Sequence, residues 1–155
     1  MLRLASRDDR PAVSALQTDA GGGRRIVTRS LRILVADDDP DTVQTLSTLL
    51  RMEGHEVREE ADGRRALEAE RGFLPDVVLL DIGMPGVTGY EVAKRVRERH
   101  ARRGRRGPVL IAVTCYQQPS DKILARLSGF DHHLGKPFET QALLDLLAPL
   151  ASPAS

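Results

Sequence analysis

With 155 residues, of which 41% are hydrophobic, the chain is long enough for one domain with a full-sized core and hardly for two. No apolar run is long enough to cross a membrane, and the first residues lack the apolar core of a signal peptide, so no membrane partner is expected. The formal net charge is only +1, and the single cysteine, Cys115, excludes an internal disulfide. We therefore expect a cytoplasmic protein with an aliphatic core, since Trp is absent.

Basic residues are concentrated in one segment, residues 94–106. This segment carries eight basic residues and a single acidic one, Glu98. Clusters of this kind contact nucleic acid or another polyanion in some proteins. Here no aromatic residues are interleaved and no DNA-binding motif surrounds the cluster. We therefore interpret it as a solvated helix end and loop, and expect no nucleic-acid partner.

The chain is predicted to have three parts. Residues 1–30 show no sustained apolar periodicity and contain a glycine run at 21–23, so we expect a flexible N-terminal tail or linker. Residues 31–150 are predicted to form the folded domain. Residues 151–155 are expected to be a C-terminal tail, too short for an output domain.

From residue 32 onward, apolar strands alternate with amphipathic helices. Asp39 is predicted to cap the first helix, Thr88 and Glu91 to form a capping box for the third, and Gly72 to close the second. In chain order, the predicted elements are strand 32–36, a helix from Pro40 up to Gly54, strand 55–60, helix 63–71, strand 77–80, a helix from Gly89 through Val96, strand 108–114, helix 120–128, strand 131–134 and helix 139–147.

Five strand–helix units with short connections predict a parallel sheet covered by helices on both faces. The common arrangement of five such strands has the order 2-1-3-4-5, which is a flavodoxin-like, doubly wound α/β fold. In this order the first and third strands are neighbours. The residues that follow them are therefore expected to meet at one edge of the sheet.

Carboxylates follow both of these strands. The first strand leads into Asp37, Asp38 and Asp39, and the third ends at Asp81. Capping explains Asp39, but it leaves Asp37 and Asp38 without a structural role. Three carboxylates in one crevice repel each other unless a cation holds them, and oxygen ligands with room for water and phosphate favour Mg²⁺. The sequence therefore predicts a magnesium site at this edge.

Polar groups also follow the fourth and fifth strands. The fourth ends at Thr114, and the fifth leads into Lys136. Each residue alone is usually a capping hydroxyl or a solvated turn residue. Together with the acids, they supply what phosphoryl transfer requires: a cation site, a carboxylate nucleophile, a hydrogen-bond donor and a positive counter-charge.

These features together resemble the receiver domain of two-component response regulators, over about residues 31–150. The segment around Asp81 and the segment 129–134 are most similar to the receivers of hybrid sensor histidine kinases. The matching segments are residues 33–40, 80–86, 89–91, 112–114 and 136–137.

The resemblance implies a role for each acid. Asp81 is implied to be the phosphoacceptor, which takes its phosphoryl group from a sensor histidine kinase or a histidine phosphotransfer protein. Asp38 and Asp81 are implied to bind Mg²⁺ directly, Asp37 to bind it largely through water, and Gly83 to bind it through its backbone carbonyl.

The resemblance extends to the other two strand ends. Lys136 is implied to neutralise charge on the phosphoryl group, and Thr114 to donate a hydrogen bond to it. The peptide bond between Lys136 and Pro137 is implied to be cis. No catalysis is expected beyond the phosphorylation and dephosphorylation of the domain itself.

Signalling in this family is implied to be a conformational shift that involves Thr114 and an aromatic residue on the fifth strand. The shift remodels the face of the fourth helix, fifth strand and fifth helix, where a downstream protein or a second copy would bind. This chain departs from the pattern, with His133 as the switch residue, Cys115 in place of Gly or Ala, and Gly135 in place of a β-branched residue. Tyr116 is predicted to screen the acyl phosphate from water.

Two other functions fit parts of the pattern. A haloacid dehalogenase-type phosphatase also uses Asp, Thr, Lys and Mg²⁺, but it requires Thr or Val where this chain has Asp41, and room for a cap domain. A receiver fold that docks without phosphorylation is the second alternative, although all five phosphorylation residues are present. A free-standing regulator and a receiver cut from a longer chain both agree with the sequence.

Overall fold

Seven strands and five helices lie within the residues that the computed structural model describes, 16–18, 24–26 and 29–152. The strands are β1 (Leu16–Thr18), β2 (Arg24–Ile26), β3 (Arg32–Ala36), β4 (Glu56–Glu60), β5 (Val77–Leu80), β6 (Val109–Thr114) and β7 (His132–Gly135). The helices are α1 (Pro40–Met52), α2 (Gly63–Phe73), α3 (Gly89–Ala101), α4 (Pro119–Ser128) and α5 (Thr140–Ala151).

The main sheet has five parallel strands in the order β4-β3-β5-β6-β7. Counted from the first of the five strand–helix units, this is the predicted order 2-1-3-4-5, so the flavodoxin-like fold is confirmed. Ala36 is paired with Leu80 where β3 and β5 end. The next residues, Asp37 and Asp81, therefore start from neighbouring positions at the same edge of the sheet.

The core has two layers, one on each face of the sheet. Alternate residues of a strand point to opposite faces, so Leu34 and Ala36 contribute to one layer while Ile33 and Val35 contribute to the other. One layer is packed with side chains of α2, α3 and α4, and the other with side chains of α1 and α5. All four residues of β5 are buried, which explains their unbroken apolar sequence.

The predicted helix starts are largely confirmed. The Asp39 side chain accepts a hydrogen bond from the Asp41 backbone N–H at 3.1 Å, with Pro40 at the first position of α1. The Thr88 hydroxyl accepts one from the Glu91 N–H at 3.3 Å. The predicted capping box is incomplete, because the Glu91 carboxylate binds Arg95 instead.

Two predicted helix ends are wrong. Gly72 lies inside α2, which continues to Phe73 because that ring packs against the core and beneath the Arg32 guanidinium. Helix α5 continues beyond 147 to Ala151, which is buried and whose carbonyl accepts a hydrogen bond from the Arg29 N–H at 2.7 Å. In both helices, contacts with other elements extend the helix past the point that local sequence signals indicated.

The predicted N-terminal tail contains β1 and β2, which pair with each other as an antiparallel hairpin. Most of its other residues lie outside the described part of the chain, as do residues 153–155 of the predicted C-terminal tail. The assignment of 1–30 and 151–155 as tails remains a prediction. None of the helices in the described ranges has the length and hydropathy that a membrane span requires.

The start of α2 is pressed against the loop that leads into α3. A Cβ atom placed on Gly63 would overlap the Val87 carbonyl, whereas one placed on Gly72 would meet no atom within 4 Å. We expect Gly63→Ala to lower the free energy of unfolding by about 1–3 kcal/mol, because backbone must move. Gly72→Ala, in the same helix, is expected to raise it by about 0.5–1 kcal/mol. Urea unfolding of both variants tests this, and equal effects would contradict the close approach.

The start of β3 is held by His55. The imidazole Nδ1 accepts a hydrogen bond from the Leu31 N–H at 3.1 Å, which requires a ring unprotonated at that nitrogen. Burial lowers the pKa of His55 below 6.5, although the charges of Glu53 and Asp76 act in the opposite direction.

This pKa makes the stability of the fold pH-dependent. The unfolded chain takes up a proton near pH 6.5, while the folded chain does so only at lower pH. The stability contributed by unprotonated His55 is therefore complete above about pH 6.5 and is lost as the pH falls towards the pKa of His55 in the folded chain. We expect His55→Asn, whose amide oxygen can accept the same bond without titrating, to reduce the loss of stability between about pH 7 and 5. Urea unfolding at several pH values measures this, and an unchanged slope would contradict it.

Candidate functional site

Three carboxylates meet where β3 and β5 end. The Asp81 backbone N–H donates to the Ala36 carbonyl at 3.0 Å, which extends the ladder by one residue and draws the two strand ends together. Carboxylate oxygens of Asp37, Asp38 and Asp81 all lie within 4.8 Å of one another. Asp37 is buried, Asp81 is partly buried and Asp38 is exposed. The predicted acid cluster is therefore present.

Asp37 has a structural role that the sequence analysis missed. Its Oδ1 accepts a hydrogen bond from the Asp39 N–H at 2.9 Å, and its Oδ2 accepts one from Lys136 Nζ at 2.6 Å. The side chain thus shapes the turn into α1 and also holds the lysine across the cluster. The lysine contact joins the ends of β3 and β7, which β5 and β6 separate in the sheet, and no local pattern signals it.

Lys136 extends from the end of β7 towards the acids. Burial alone would lower the pKa of its ammonium group, but the hydrogen bond with Asp37 and the charges of Asp81 and Asp37 outweigh it and raise the pKa above 10.5. The Lys136 N–H also donates to the Thr114 carbonyl at 2.9 Å. The Lys136–Pro137 peptide bond is cis, as the family resemblance implied.

The neighbouring carboxylates affect the pKa of Asp81. Burial and the charge of Asp37 raise the pKa of Asp81 above 3.8, although Lys136 acts in the opposite direction. A divalent cation would relieve this repulsion. The donor set fits Mg²⁺, since it consists of oxygens, and one carboxylate, Asp38, is open to solvent. The predicted Gly83 carbonyl ligand remains a prediction; the Gly83 N–H lies 3.4 Å from Asp81 Oδ1.

Thr114 lies at the end of β6, beside β5, and is 1% exposed. Its Oγ1 accepts a hydrogen bond from the Tyr116 N–H at 3.2 Å. Because an acceptor bond uses only a lone pair, the hydroxyl proton stays available for donation. Thr114 and Lys136 thus follow adjacent strands at the edge that carries the acids.

Residues 115–118, between β6 and α4, contact the loop after β5 and the end of β7. A Cβ atom on Gly83 would lie 3.2 Å from the Tyr116 hydroxyl, so the tyrosine covers the loop after Asp81 while remaining 50% exposed. His133 Nε2 lies 2.9 Å from the Tyr116 carbonyl oxygen. Gln117, which the sequence analysis did not single out, donates to the Lys136 carbonyl at 3.0 Å.

Comparison with known proteins identifies the family. The model of the response regulator receiver domain matches residues 33–148. This chain belongs to that family. Receiver domains are the phosphoacceptor modules of two-component signalling, and the phosphatase alternative is set aside.

Similarity to individual proteins supports the same family assignment. The DNA-binding response regulator MtrA of Mycolicibacterium smegmatis is 36% identical over 117 residues, which is 76% of this chain and 49% of MtrA. The chain thus spans about half the length of the curated relatives it matches. The chemotaxis protein CheY4 of Vibrio cholerae is 31% identical with a TM-score of 0.70, over 77% of this chain and 98% of CheY4.

A third comparison concerns the fold alone. The receiver domain of Ssk1 from Saccharomyces cerevisiae, crystallised with the histidine phosphotransfer protein Ypd1, is matched at 22% identity with a TM-score of 0.75, over 81% of this chain and 91% of that chain. The similarity to receivers of hybrid kinases, inferred from the residues around Asp81, remains a prediction.

Proposed function

We propose that this receiver domain accepts a phosphoryl group on Asp81 from a phosphohistidine and signals by a conformational shift. The observation that carries the proposal is the convergence of the acid cluster, the Lys136–Asp37 ion pair and Thr114 at one edge of the sheet. In the transfer, an Asp81 carboxylate oxygen attacks phosphorus, and the bond from phosphorus to the histidine nitrogen breaks. The nitrogen keeps the electron pair, and Asp81 becomes an acyl phosphate.

The cluster is proposed to hold Mg²⁺. Asp38 and Asp81 would bind it directly, Asp37 largely through water, and Gly83 through its carbonyl. When bound, Mg²⁺ supplies positive charge that stabilises the transferring phosphoryl group. Asp38 suits this role because it is exposed and no ion pair within the described residues neutralises it.

Two further groups would act on the phosphoryl oxygens. Lys136 is held by Asp37 at the edge of the cluster, and it would exchange this 2.6 Å ion pair for a contact with the phosphoryl group. The Thr114 hydroxyl can donate its proton while it still accepts from Tyr116. Tyr116, beside the loop after Asp81, is proposed to screen the acyl phosphate from water.

The proposed partners are proteins. A sensor histidine kinase or a histidine phosphotransfer protein would supply the phosphoryl group, as the co-crystal of Ssk1 with Ypd1 suggests for receivers. The face of α4, β7 and α5 is proposed as the output surface for a downstream protein or a second copy. Three apolar side chains of α4 support this proposal, since Ile123, Leu124 and Leu127 are all exposed.

The basic segment 94–106 fits a structural role better than nucleic-acid binding. Four of its eight basic residues bind carboxylates within the domain: Arg95 binds Glu91, Arg99 binds Glu70, and Arg97 and Arg106 bind Asp131. We therefore propose that no nucleic acid binds here. A cytoplasmic location remains part of the proposal and is supported by the exposed free thiol of Cys115.

Phosphorylation of the wild-type chain tests this function. Incubated with acetyl phosphate, the protein should gain one phosphoryl group in the presence of Mg²⁺ and none when EDTA removes the metal. Intact-mass spectrometry measures the gain. A chain that never gains mass would instead support a docking module that works without phosphorylation. Turnover of p-nitrophenyl phosphate should be absent, because no hydrolase activity is proposed.

A further inference from the structure

Two side chains tie the loop of residues 115–118, here called the β6–α4 loop, to the end of β7. The Gln117 side-chain amide donates to the Lys136 carbonyl at 3.0 Å. The His133 ring lies 2.9 Å from the Tyr116 carbonyl. One tie therefore reaches the backbone of the lysine that pairs with Asp37, and the other reaches the tyrosine beside the loop after the phosphoacceptor.

The first tie depends on a residue that has no side chain. A Cβ atom on Gly135 would overlap the amide group of Gln117. A β-branched residue, which is common at this position in receivers, would therefore exclude Gln117 from its present place. Gly135 and Gln117 form a matched pair: the missing side chain leaves the space, and the amide fills it.

The second tie has a defined donor. A carbonyl oxygen can only accept, so His133 Nε2 carries the proton of the 2.9 Å bond. The bond holds the ring against the β6–α4 loop.

Tyr116 is thereby held at three points. Its N–H donates to Thr114 Oγ1, its carbonyl accepts from His133, and its ring lies against Gly83. Tyr116 thus contacts both the Thr114 hydroxyl and the loop after Asp81.

We propose that Gln117 and His133 are positioning residues that hold the β6–α4 loop over the phosphorylation site and prolong the life of the phosphoryl group on Asp81. This inference rests on the proposed function. In the step that they slow, a water oxygen attacks phosphorus and the bond from phosphorus to the Asp81 oxygen breaks. Asp81 leaves as a carboxylate, and the proton of water passes to the released inorganic phosphate.

The test is the lifetime of the phosphorylated protein. After labelling with acetyl phosphate and Mg²⁺ and removal of the donor, the loss of the phosphoryl group is followed by intact mass. We expect hydrolysis to be about tenfold faster in Gln117→Ala and in His133→Phe. Each variant loses one hydrogen bond to the loop, and a tenfold faster rate equals a decrease of about 1.4 kcal/mol in the activation free energy of hydrolysis. Matched controls are Gln141→Ala and His132→Phe, because these exposed residues form no hydrogen bond with the loop in the described part of the chain.

A third variant separates the matched pair from a general loss of packing. Gly135→Val should shorten the lifetime as Gln117→Ala does, since it displaces the same amide. The double variant that combines Gly135→Val with Gln117→Ala should lose its phosphoryl group no faster than either single variant, because both substitutions remove the same contact between Gln117 and Lys136. Additive effects would overturn the pairing of Gly135 with Gln117.

A second measurement keeps the inference testable without phosphorylation. Amide hydrogen exchange of residues 115–118 should rise in Gln117→Ala and His133→Phe, while exchange in β5 stays unchanged as evidence of folding. Unchanged exchange, or faster exchange with an unchanged lifetime, would overturn the inference. A wild-type chain that takes no phosphoryl group would instead overturn the proposed function, so the two failures are distinguishable.

Discussion

Asp81→Asn is expected to abolish phosphorylation completely, with no gain of mass from acetyl phosphate in the presence of Mg²⁺. The amide has almost the same shape as the carboxylate, but it lacks the charged oxygen that attacks phosphorus. The fold should survive the change. Burial and the charge of Asp37 raise the pKa of Asp81, which means that its ionised form costs stability at neutral pH. The variant should therefore unfold at the same urea concentration as wild type or at a higher one.

The control for this experiment is Asp41→Asn. Asp41 is an exposed carboxylate in the first turn of α1, outside the cluster that could hold a metal. Its replacement should leave the mass gain unchanged. A phosphoryl group that still attaches to the Asp81→Asn protein would show that another side chain is the acceptor, and peptide mapping would then locate it.

Lys136→Met is expected to reduce the rate of phosphorylation by about 10²–10³-fold, the usual cost of removing one group that stabilises transition-state charge. Met has an unbranched side chain of similar length, so packing changes little. The variant should also be less stable, because Asp37 is only 3% exposed and loses the ammonium group 2.6 Å away. The rate of mass gain and urea unfolding measure the two effects.

A double variant distinguishes these effects. Adding Asp37→Asn to Lys136→Met removes the unpaired buried charge, so stability should recover while phosphorylation stays slow. Lys122→Met serves as the matched control, since Lys122 is exposed on α4 and forms no ion pair within the part of the chain that the structure describes. A normal rate in Lys136→Met would contradict the role proposed for the lysine.

The candidate site was predictable because it is built from strand ends. Apolar runs that stop at Asp37, Asp81 and Thr114 are visible in the sequence, and parallel strands bring their carboxyl ends to one edge. The alternation of strands and helices predicted a parallel sheet, and the common arrangement of five such units supplied the strand order. The same reasoning could not predict that Asp37 binds Lys136, since that contact spans 99 positions of sequence and depends on how the side chains extend across the edge.

Helix ends show the limit of local signals most clearly. Gly72 suggested the end of α2, yet the helix continues because Phe73 gains contact with the core. Gly135 appeared only as a departure from the family pattern. Its consequence, the space that Gln117 occupies, required knowledge of the distance between β7 and the β6–α4 loop.

By itself, the sequence determined the five strand–helix units and the polar residues at the strand ends, because periodicity and strand-end position are local properties of a chain. The strand order followed from the common arrangement of such units. Only the tertiary structure decided which of these residues touch. The Asp37–Lys136 pair, the His133–Tyr116 bond and the Gln117–Lys136 bond join residues from different elements. Their formation depends on the packing distances between those elements, and these distances are set by the whole core rather than by any single segment.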